Sequence, residues 1–284
     1  MMLNRMSGER GDRSPVTGQS WRSLRTAAMR RLVPHGRRAQ IRALYSRATW
    51  RLYVGNSVRC NCCGGNFGRF RDYISESGHH SRACPRCGAL GRHRVDWLYL
   101  TDRTDVLQRP TNLLHIAPEV CLETPLRRMA NIDYLSADYD STLAMDQVDV
   151  RDIRYGDESF DGVICNHVLQ LIDDDLTAMR ELCRIVKPGG WALIQSSVND
   201  ELDDTLDRHV GDAVDEPPDR YEEVFHRIYG RADYGRRLEQ AGFDVTVSDF
   251  ARDLQPALAR QLGLDLDETI YFCRKPKPAH TPDQ

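Results

Sequence analysis

The chain has 284 residues, of which 40% are hydrophobic, and its formal net charge at pH 7 is −3. This length allows one large α/β domain with an appendage, and no apolar run approaches the ~20 residues that a membrane span needs. The N-terminal segment lacks the apolar stretch of a secretory signal, so we expect a cytoplasmic protein without a membrane span.

The positive charge is concentrated at the N-terminus. Residues 1–56 contain twelve arginines, no lysine and only two acidic residues, so a basic arm precedes an acidic body. Between Trp21 and Trp50, apolar residues recur at roughly helical spacing among the arginines. We predict a partly disordered helical arm that either packs on the main domain or serves as a substrate lid or dimer arm.

Five of the nine cysteines lie within 28 residues. An odd number of cysteines without a secretion signal argues against a disulfide framework. Two CxxCG segments, at 60–64 and 84–88, instead have the spacing of a four-thiolate zinc site, in which each tight turn points backbone amides at the sulfurs. All four positions around the metal are then filled, so the ion is structural.

The predicted zinc ligands are Cys60, Cys63, Cys84 and Cys87. This pairing makes Gly64 the counterpart of Gly88, although Cys62 is an alternative to one member of the first pair. Three nearby histidines are alternative ligands, but four sulfurs leave no vacancy, so they are interpreted as surface residues; these are His79, His80 and His93.

From residue 112 onwards, strand patterns alternate with helix patterns, which is typical of an α/β fold with a doubly wound, mostly parallel sheet. The seven predicted strands cover 112–117, 133–138, 147–152, 160–166, 191–197, 243–250 and 269–275. The predicted helices cover 92–101, 120–130, 173–186, 230–241 and 252–262. The last two strands are expected to form an antiparallel edge.

These patterns predict five segments. They are the arm over 1–56, a zinc ribbon with its following helix over 57–101, a linker over 102–111, the α/β domain over 112–276 and a loose tail over 277–284.

Residues 149–195 contain an acidic residue, SFD, an apolar strand, HVLQL, a helix and VKPGG before another strand. This order resembles the central part of class I S-adenosylmethionine-dependent methyltransferases of the type 11 kind. The segments CNCCGG, CPRCGALGRHR, LLHIAPE and HRIYGRADY resemble a bacterial subfamily with a zinc ribbon in front of that domain. The resemblance covers roughly 50–275, and it implies a seven-stranded Rossmann-like sheet with S-adenosylmethionine as the methyl donor.

The sequence departs from these families at three places. The first strand is followed by His115-Ile-Ala117-Pro118-Glu119 where the wider superfamily has glycines. HVLQL stands in place of the usual HVLEH, and Gly91 stands where the ribbon subfamily usually has glutamate before RHR.

In a doubly wound sheet the ligand binds beyond the carboxyl ends of the strands. The predicted cofactor residues are His115, Ala117, Pro118, Glu119, Asp138, Tyr139, Asp152, Ile153, Asn166 and His167. Glu119 is expected to face the ammonium group of the methionine moiety, unless it only favours the start of a helix. Asp138 suits the ribose hydroxyls, with Asp140 as the alternative if the strand ends later.

Asp152 suits the adenine amino group, and Ile153 the face of the adenine ring. Asn166 and His167 are expected to face the sulfonium and the substrate, although His167 also fits a structural role.

The predicted catalytic residues are His167, His226, Arg227 and Tyr229. Either histidine suits a proton acceptor near neutral pH if the methyl acceptor carries a proton. Arg227 is a candidate clamp for an anionic substrate group and Tyr229 a candidate pocket wall, and both fit packing roles equally well.

Three functions remain open at this stage. The favoured one is O- or N-methylation of a small metabolite or natural-product intermediate. The second is methylation of RNA that docks through the ribbon arginines, which predicts salt-sensitive binding. The third is a protein that keeps the cofactor fold for binding alone or for other chemistry. The oligomeric state is not predicted.

Overall fold

The computed structural model describes residues 49–74, 80–140, 143–207 and 226–278. These residues belong to one compact unit, Tyr45–Gln284. The predictions made for residues 1–48 and for the end of the tail lie outside the described residues. Across the described segments, none of the helices combines the length and the apolarity of a bilayer span.

The described chain contains short strand pairs at its N-terminal end and longer alternating elements after them. The strands are β1 (Val54–Arg59), β2 (Asn66–Phe67), β3 (Arg71–Ile74), β4 (His80–Ala83), β5 (Thr111–Ile116), β6 (Ile132–Asp138), β7 (Asp146–Gln147), β8 (Phe160–Asn166), β9 (Val186–Gln195), β10 (Val198–Asn199), β11 (Leu206–Asp207), β12 (Arg227–Gly230), β13 (Asp244–Ser248) and β14 (Ile270–Arg274). The α-helices are α1 (Gly91–Asp102), α2 (Val120–Leu126), α3 (Asp175–Ile185), α4 (Arg231–Gln240) and α5 (Pro256–Leu262).

The main sheet has seven strands in the order β13-β14-β9-β8-β5-β6-β7. Strands β9, β8, β5, β6 and β7 are parallel neighbours, whereas β14 is antiparallel to both β9 and β13. The predicted fold class and antiparallel edge are therefore confirmed. The strand order reverses beside β5, because β6 lies on one side of it and β8 on the other, and such a reversal opens a crevice at the carboxyl ends.

Two local predictions were wrong. The third strand was expected over 147–152, but it consists of Asp146–Gln147 followed by a turn, because the Asp149 carboxylate accepts a hydrogen bond from the backbone N–H of Arg151 at 2.9 Å. The strand expected over 191–197 begins earlier: α3 ends at Ile185, and the KPGG segment that follows it lies within β9. The pairing of β9 with β8 shifts register there, since proline has no N–H to donate to the ladder.

The ribbon and the main sheet share one apolar core. Phe67 and Phe70 of the ribbon belong to the same buried cluster as Leu113, Trp191 and Phe272 of the sheet. Among the residues that the structure describes, the ribbon strands pair only with each other, β1 with β2 and β3 with β4. Side-chain packing, and not backbone pairing, therefore attaches the ribbon to the sheet.

Helix α1 connects the ribbon to the sheet. Its buried apolar side includes Val95, Leu98 and Tyr99, and the Tyr99 ring packs 5.3 Å from Phe250 and 5.6 Å from Phe272 between ring centroids. Its first two turns also bury polar residues, which lie against the carboxyl ends of β5, β8 and β9.

Candidate active site and metal centre

The two CxxCG segments fold into matching turns. The Cys60 N–H donates to the Gly65 carbonyl and the Gly64 N–H to the Cys60 carbonyl, at 2.9 and 2.8 Å. In the second turn, the Cys84 N–H donates to Ala89 at 2.8 Å and the Gly88 N–H to Cys84 at 3.0 Å. Gly64 and Gly88 have φ of 68° and 76°, a left-handed conformation that favours glycine.

These turns bring four sulfurs together. The sulfur atoms of Cys60, Cys63, Cys84 and Cys87 all lie within 4.8 Å of one another. Sγ of Cys60 is 3.7 Å from that of Cys87, and Sγ of Cys63 is 3.7 Å from that of Cys84. Tetrahedral zinc with Zn–S bonds of ~2.3 Å requires sulfur separations of ~3.8 Å, so the four thiolates fit this metal.

The remaining candidate ligands lie elsewhere. Sγ of Cys62 faces the backbone carbonyl of His93 at 3.6 Å and is not part of the four-sulfur cluster. His80 is exposed on β4, and His79 lies outside the described residues. The interpretation of His93 as a surface residue was wrong, because its side chain is buried beneath the ribbon with only 7% of the residue exposed.

A buried histidine and a partly buried glutamate lie at the end of β5. His115 is fully buried, with Nε2 2.9 Å from Oε2 of Glu119 and Nδ1 3.0 Å from the Tyr134 hydroxyl. Burial opposes ionisation of Glu119, but the hydrogen bond and charge of His115 outweigh it and lower the pKa of Glu119 to about 2. The ionised Glu119 therefore accepts a hydrogen bond from Nε2–H of His115, while Nδ1 of His115 lies within hydrogen-bond distance of the Tyr134 hydroxyl.

The turn after β5 brings Glu119 close to His115 without the use of a glycine. Ala117 takes φ of 48°, and Glu119 precedes α2 as its N-cap residue. His167, after the neighbouring strand β8, takes φ of 56°. Left-handed backbone in residues other than glycine costs free energy and concentrates at functional sites, and here it occurs at the ends of two adjacent strands.

The predicted nucleoside residues lie at the end of β6 and after β7. Asp138 ends β6, and its Oδ1 accepts from the Asp140 N–H at 2.9 Å. Tyr139 is 67% exposed, and Asp152 is exposed as well. Ile153 is buried in the core, with its N–H donated to Glu181 at 3.0 Å, so its side chain has little surface for a ligand.

Asn166 and His167 lie at the end of β8, as expected. Nδ2 of Asn166 is 3.5 Å from Oδ2 of Asp96, while its Oδ1 is buried without a partner among the described residues. Burial, reinforced by Arg92, lowers the pKa of His167 to about 3. Because a group with this pKa binds protons poorly at pH 7, His167 suits hydrogen bonding better than proton transfer.

Two acids near this site were missed from the sequence, and one of them, Asp96, lies beside Asn166. Asp96, on α1, is 1% exposed, with Oδ1 3.4 Å from Nε2 of Gln195 at the end of β9. Burial, followed by the charges of Glu268 and Glu119, raises the pKa of Asp96 well above its usual value. Burial also raises the pKa of Glu268, to about 7. The available signal was an acid among the apolar positions of α1.

The structure places Arg227 and Tyr229 in a different environment from the one predicted. Arg227 is 6% exposed and forms an ion pair with Asp175, and Tyr229 is fully buried and donates to the same carboxylate at 2.8 Å. Both polar groups bind Asp175, so these residues stabilise the junction of α3 and β12 and are not available to a substrate. His226 is half-buried, and its N–H donates to the Gln170 carbonyl at 2.9 Å.

Replacement of Tyr229 by phenylalanine is expected to lower the free energy of unfolding by about 1–3 kcal/mol, because the buried Asp175 loses a donor. The affinity for S-adenosylhomocysteine should change by less than about twofold. Urea unfolding and calorimetry measure the two quantities, with Tyr73→Phe on the ribbon as the control. If the phenylalanine variant bound the ligand more weakly but kept its stability, Tyr229 would again be a candidate residue of the substrate site.

The two other departures from the family pattern fit their surroundings. Gln170, in HVLQL, is buried, and its Oε1 accepts from the Ser196 hydroxyl at 2.6 Å. A side chain at Gly91 would collide with the carboxylate of Asp265. That carboxylate accepts from the Ser81 hydroxyl at 2.8 Å and from the Arg92 N–H at 3.1 Å. Asp265 therefore places a carboxylate where the side chain of a glutamate at 91 would begin.

Residues 120–194 match the family model described as a methyltransferase domain. No curated protein matches the chain in sequence.

Several solved structures are similar to the chain. A protein of Bacillus halodurans C-125 described as a methyltransferase has 16% identity and a TM-score of 0.40, over 62% of this chain and 100% of that one. An S-adenosylmethionine-dependent methyltransferase from Mesorhizobium loti has 14% identity and a TM-score of 0.42, over 63% and 97%. The cyclase SpnF has 18% identity and a TM-score of 0.43, over 84% and 96%. These scores are low, so the fold assignment rests on the strand order.

Proposed function

We infer that this chain is a class I S-adenosylmethionine-dependent methyltransferase, because residues 120–194 match the family model and the strand order agrees with it. We also infer that it methylates an oxygen or nitrogen atom of a small molecule. We further propose that Cys60, Cys63, Cys84 and Cys87 hold a structural zinc ion, which their sulfur separations fit.

The position of α1 supports a small acceptor. Ligands of doubly wound folds bind at the carboxyl ends of the strands, and there Asp96 of α1 lies against Asn166 and Gln195, the last residues of β8 and β9. The three residues are 1%, 4% and 1% exposed. A group that reacts there must fit beneath α1. This enclosure favours a compact metabolite over a nucleotide within a long RNA.

The residues at the end of β6 suit the nucleoside. The bound cofactor supplies a methyl group activated by a positively charged sulfur. Asp138 offers a carboxylate to the ribose hydroxyls, and Asp152 an exposed carboxylate to the adenine amino group. Tyr139 and Met145 are 67% and 54% exposed, which leaves apolar surface for the adenine ring to cover.

The chain also has a site for the proton that a hydroxyl acceptor loses. A carboxylate whose pKa lies near the working pH accepts a proton effectively. The pKa of Glu268 is about 7, and that of Asp96 is raised as well. Buried acids of this kind lower stability at neutral pH, which favours a functional reason for their presence. We therefore infer that this pair, and not His167, holds the departing proton.

Replacement of Asp138 by alanine is expected to weaken the binding of S-adenosylhomocysteine by at least about tenfold, because the ribose loses its acceptor. Asp133→Ala is the matched control, since Asp133 is an exposed aspartate near the other end of the same strand. Isothermal calorimetry measures both affinities, and circular dichroism checks folding. Equal affinities in the two variants would remove Asp138 from the cofactor site, and absence of binding to the wild type would remove the proposed function.

A further inference from the structure

Three consecutive residues at the start of α1, Arg92, His93 and Arg94, have cationic or ionisable side chains, and each side chain has a different environment. Arg94 is fully buried, and its guanidinium donates to the carbonyls of Arg82 and Gly263 at 2.7 and 2.6 Å. It also lies 4.2 Å from the centre of the Phe70 ring. Arg94 therefore binds the start of α1 to the ribbon and to the turn after α5.

The ribbon fixes the backbone of the same segment. Nδ2 of Asn61, in the first cysteine turn, donates to the Arg94 carbonyl at 2.8 Å, and Sγ of Cys62 lies 3.6 Å from the His93 carbonyl. The Arg92 N–H donates to the Asp265 carboxylate at 3.1 Å. The position of His93 is thus determined by contacts on both sides of it.

The hydrogen bonds of His93 define its tautomer. The Leu90 N–H donates to Nδ1 at 3.1 Å, so Nδ1 is an acceptor. Burial lowers the pKa of His93 to about 4, so the ring is neutral at pH 7 and Nε2 carries the hydrogen. This Nε2–H lies 3.9 Å from Oε1 of Glu119, too far for a hydrogen bond, and it has no partner in the described part of the chain.

Arg92 provides a second unused donor. Its Nε is buried without a hydrogen-bond partner over the described ranges. Its positive charge lowers the pKa of both His93 and His167. Nε of Arg94 also lacks a partner among the described residues, although the rest of that guanidinium is hydrogen-bonded. Buried donors without acceptors are rare in proteins, and three of them in consecutive residues indicate an acceptor that the chain does not supply.

We propose that Arg92 and His93 bind the carboxylate group at the amino-acid end of S-adenosylmethionine, while Glu119 binds the neighbouring ammonium group. This inference rests on the proposed cofactor site at the end of β5 and extends it to the helix that follows the zinc ribbon. An amino-acid zwitterion matches the arrangement, because it offers an acceptor to two donors and a cation to an ionised carboxylate. The ribbon thereby has a role in cofactor binding through the residues that it positions.

The test compares two ligands that differ in one group. S-adenosylhomocysteine carries the carboxylate, and S-adenosyl-3-thiopropylamine has a hydrogen in its place. The wild type is expected to bind the first at least about tenfold more tightly. In Arg92→Gln and in His93→Asn this preference should fall below about threefold. Asparagine retains an acceptor near the position of Nδ1, so the bond from Leu90 has a replacement.

The preference between the two ligands separates recognition from general damage. A substitution that merely distorts the site weakens both ligands together and leaves their ratio unchanged, and that outcome would overturn the proposal. A wild type that binds both ligands equally would do the same. His80→Asn and Arg82→Gln are matched controls on an exposed ribbon strand and should keep the wild-type preference. A wild type that binds neither ligand would instead refute the proposed function, and this inference with it.

Discussion

Loss of the proposed zinc ion, by Cys84→Ser or by a strong chelator, is expected to unfold the ribbon and to abolish binding of S-adenosylhomocysteine. Structural zinc contributes on the order of 10 kcal/mol to folding in small zinc modules, against a total stability of about 5–15 kcal/mol for a typical domain. Cys60 and Cys84 belong to the buried apolar cluster that also contains Leu113 and Trp191 of the main sheet. Unfolding of the ribbon therefore exposes part of the core of the sheet.

The measurements are zinc content, near-ultraviolet circular dichroism and calorimetry with S-adenosylhomocysteine. Cys62→Ser is the matched control, because Cys62 lies in the same turn, is 4% exposed and is not part of the four-sulfur cluster. The control should retain one zinc ion per chain, although the loss of a buried thiol costs some stability. If Cys84→Ser retained the metal, or bound the ligand as tightly as the wild type, the predicted ligand set would be wrong.

The second large effect is expected for Glu119→Gln. The pKa of Glu119 is lowered from 4.5 to about 2. This difference corresponds to about 3 kcal/mol of stabilisation at pH 7, at 1.36 kcal/mol per pKa unit. Glutamine lacks the charge that the hydrogen bond from His115 favours, so the variant should be less stable at pH 7 by an amount of this order. It should also bind S-adenosylhomocysteine at least about tenfold more weakly if Glu119 faces the ammonium group.

The pH dependence has a definite sign. Because the pKa of Glu119 is lower in the folded state, its stabilisation is complete above about pH 4.5 and is lost as the pH falls towards 2. The stability difference between wild type and variant should therefore shrink on acidification through this range, as measured by urea unfolding. Glu123→Gln, one turn further along α2, should show a much smaller effect, because the Arg127 in its ion pair is half-exposed. A difference that is independent of pH would contradict an ionised Glu119.

Local patterns predicted the α/β domain well. The seven strands and the antiparallel edge follow from short apolar runs that alternate with helix patterns, because such runs mark the segments that become buried. Two errors involved departures from regular structure. The KPGG segment has the composition of a helix end, but a bulge in β9 accommodates it within a strand. The third strand was shortened because the side chain of Asp149 competes with the sheet for backbone N–H groups.

Some residues of the candidate site lie where the sequence predicted them, and others do not. His115, Glu119 and Asn166 lie together at the strand ends because parallel strands all end at one edge. Arg227 and Tyr229 were chosen from a motif beside a strand, and the motif does not reveal that Asp175 binds both of them. Asp96 and His93 were missed because no local pattern states which face of the sheet a preceding helix will cover.

The sequence by itself determined the four-cysteine cluster and the class of fold, because cysteine spacing and hydrophobic periodicity are properties of short segments. Tertiary structure decided the chemistry at the strand ends. Asp96 meets Asn166 across 70 residues of chain and Gln195 across 99, and His93 faces Glu119 only because Arg94 and the ribbon hold α1 over the sheet. Such contacts depend on the path of the whole chain, and the same burial that brings these groups together shifts their pKa values.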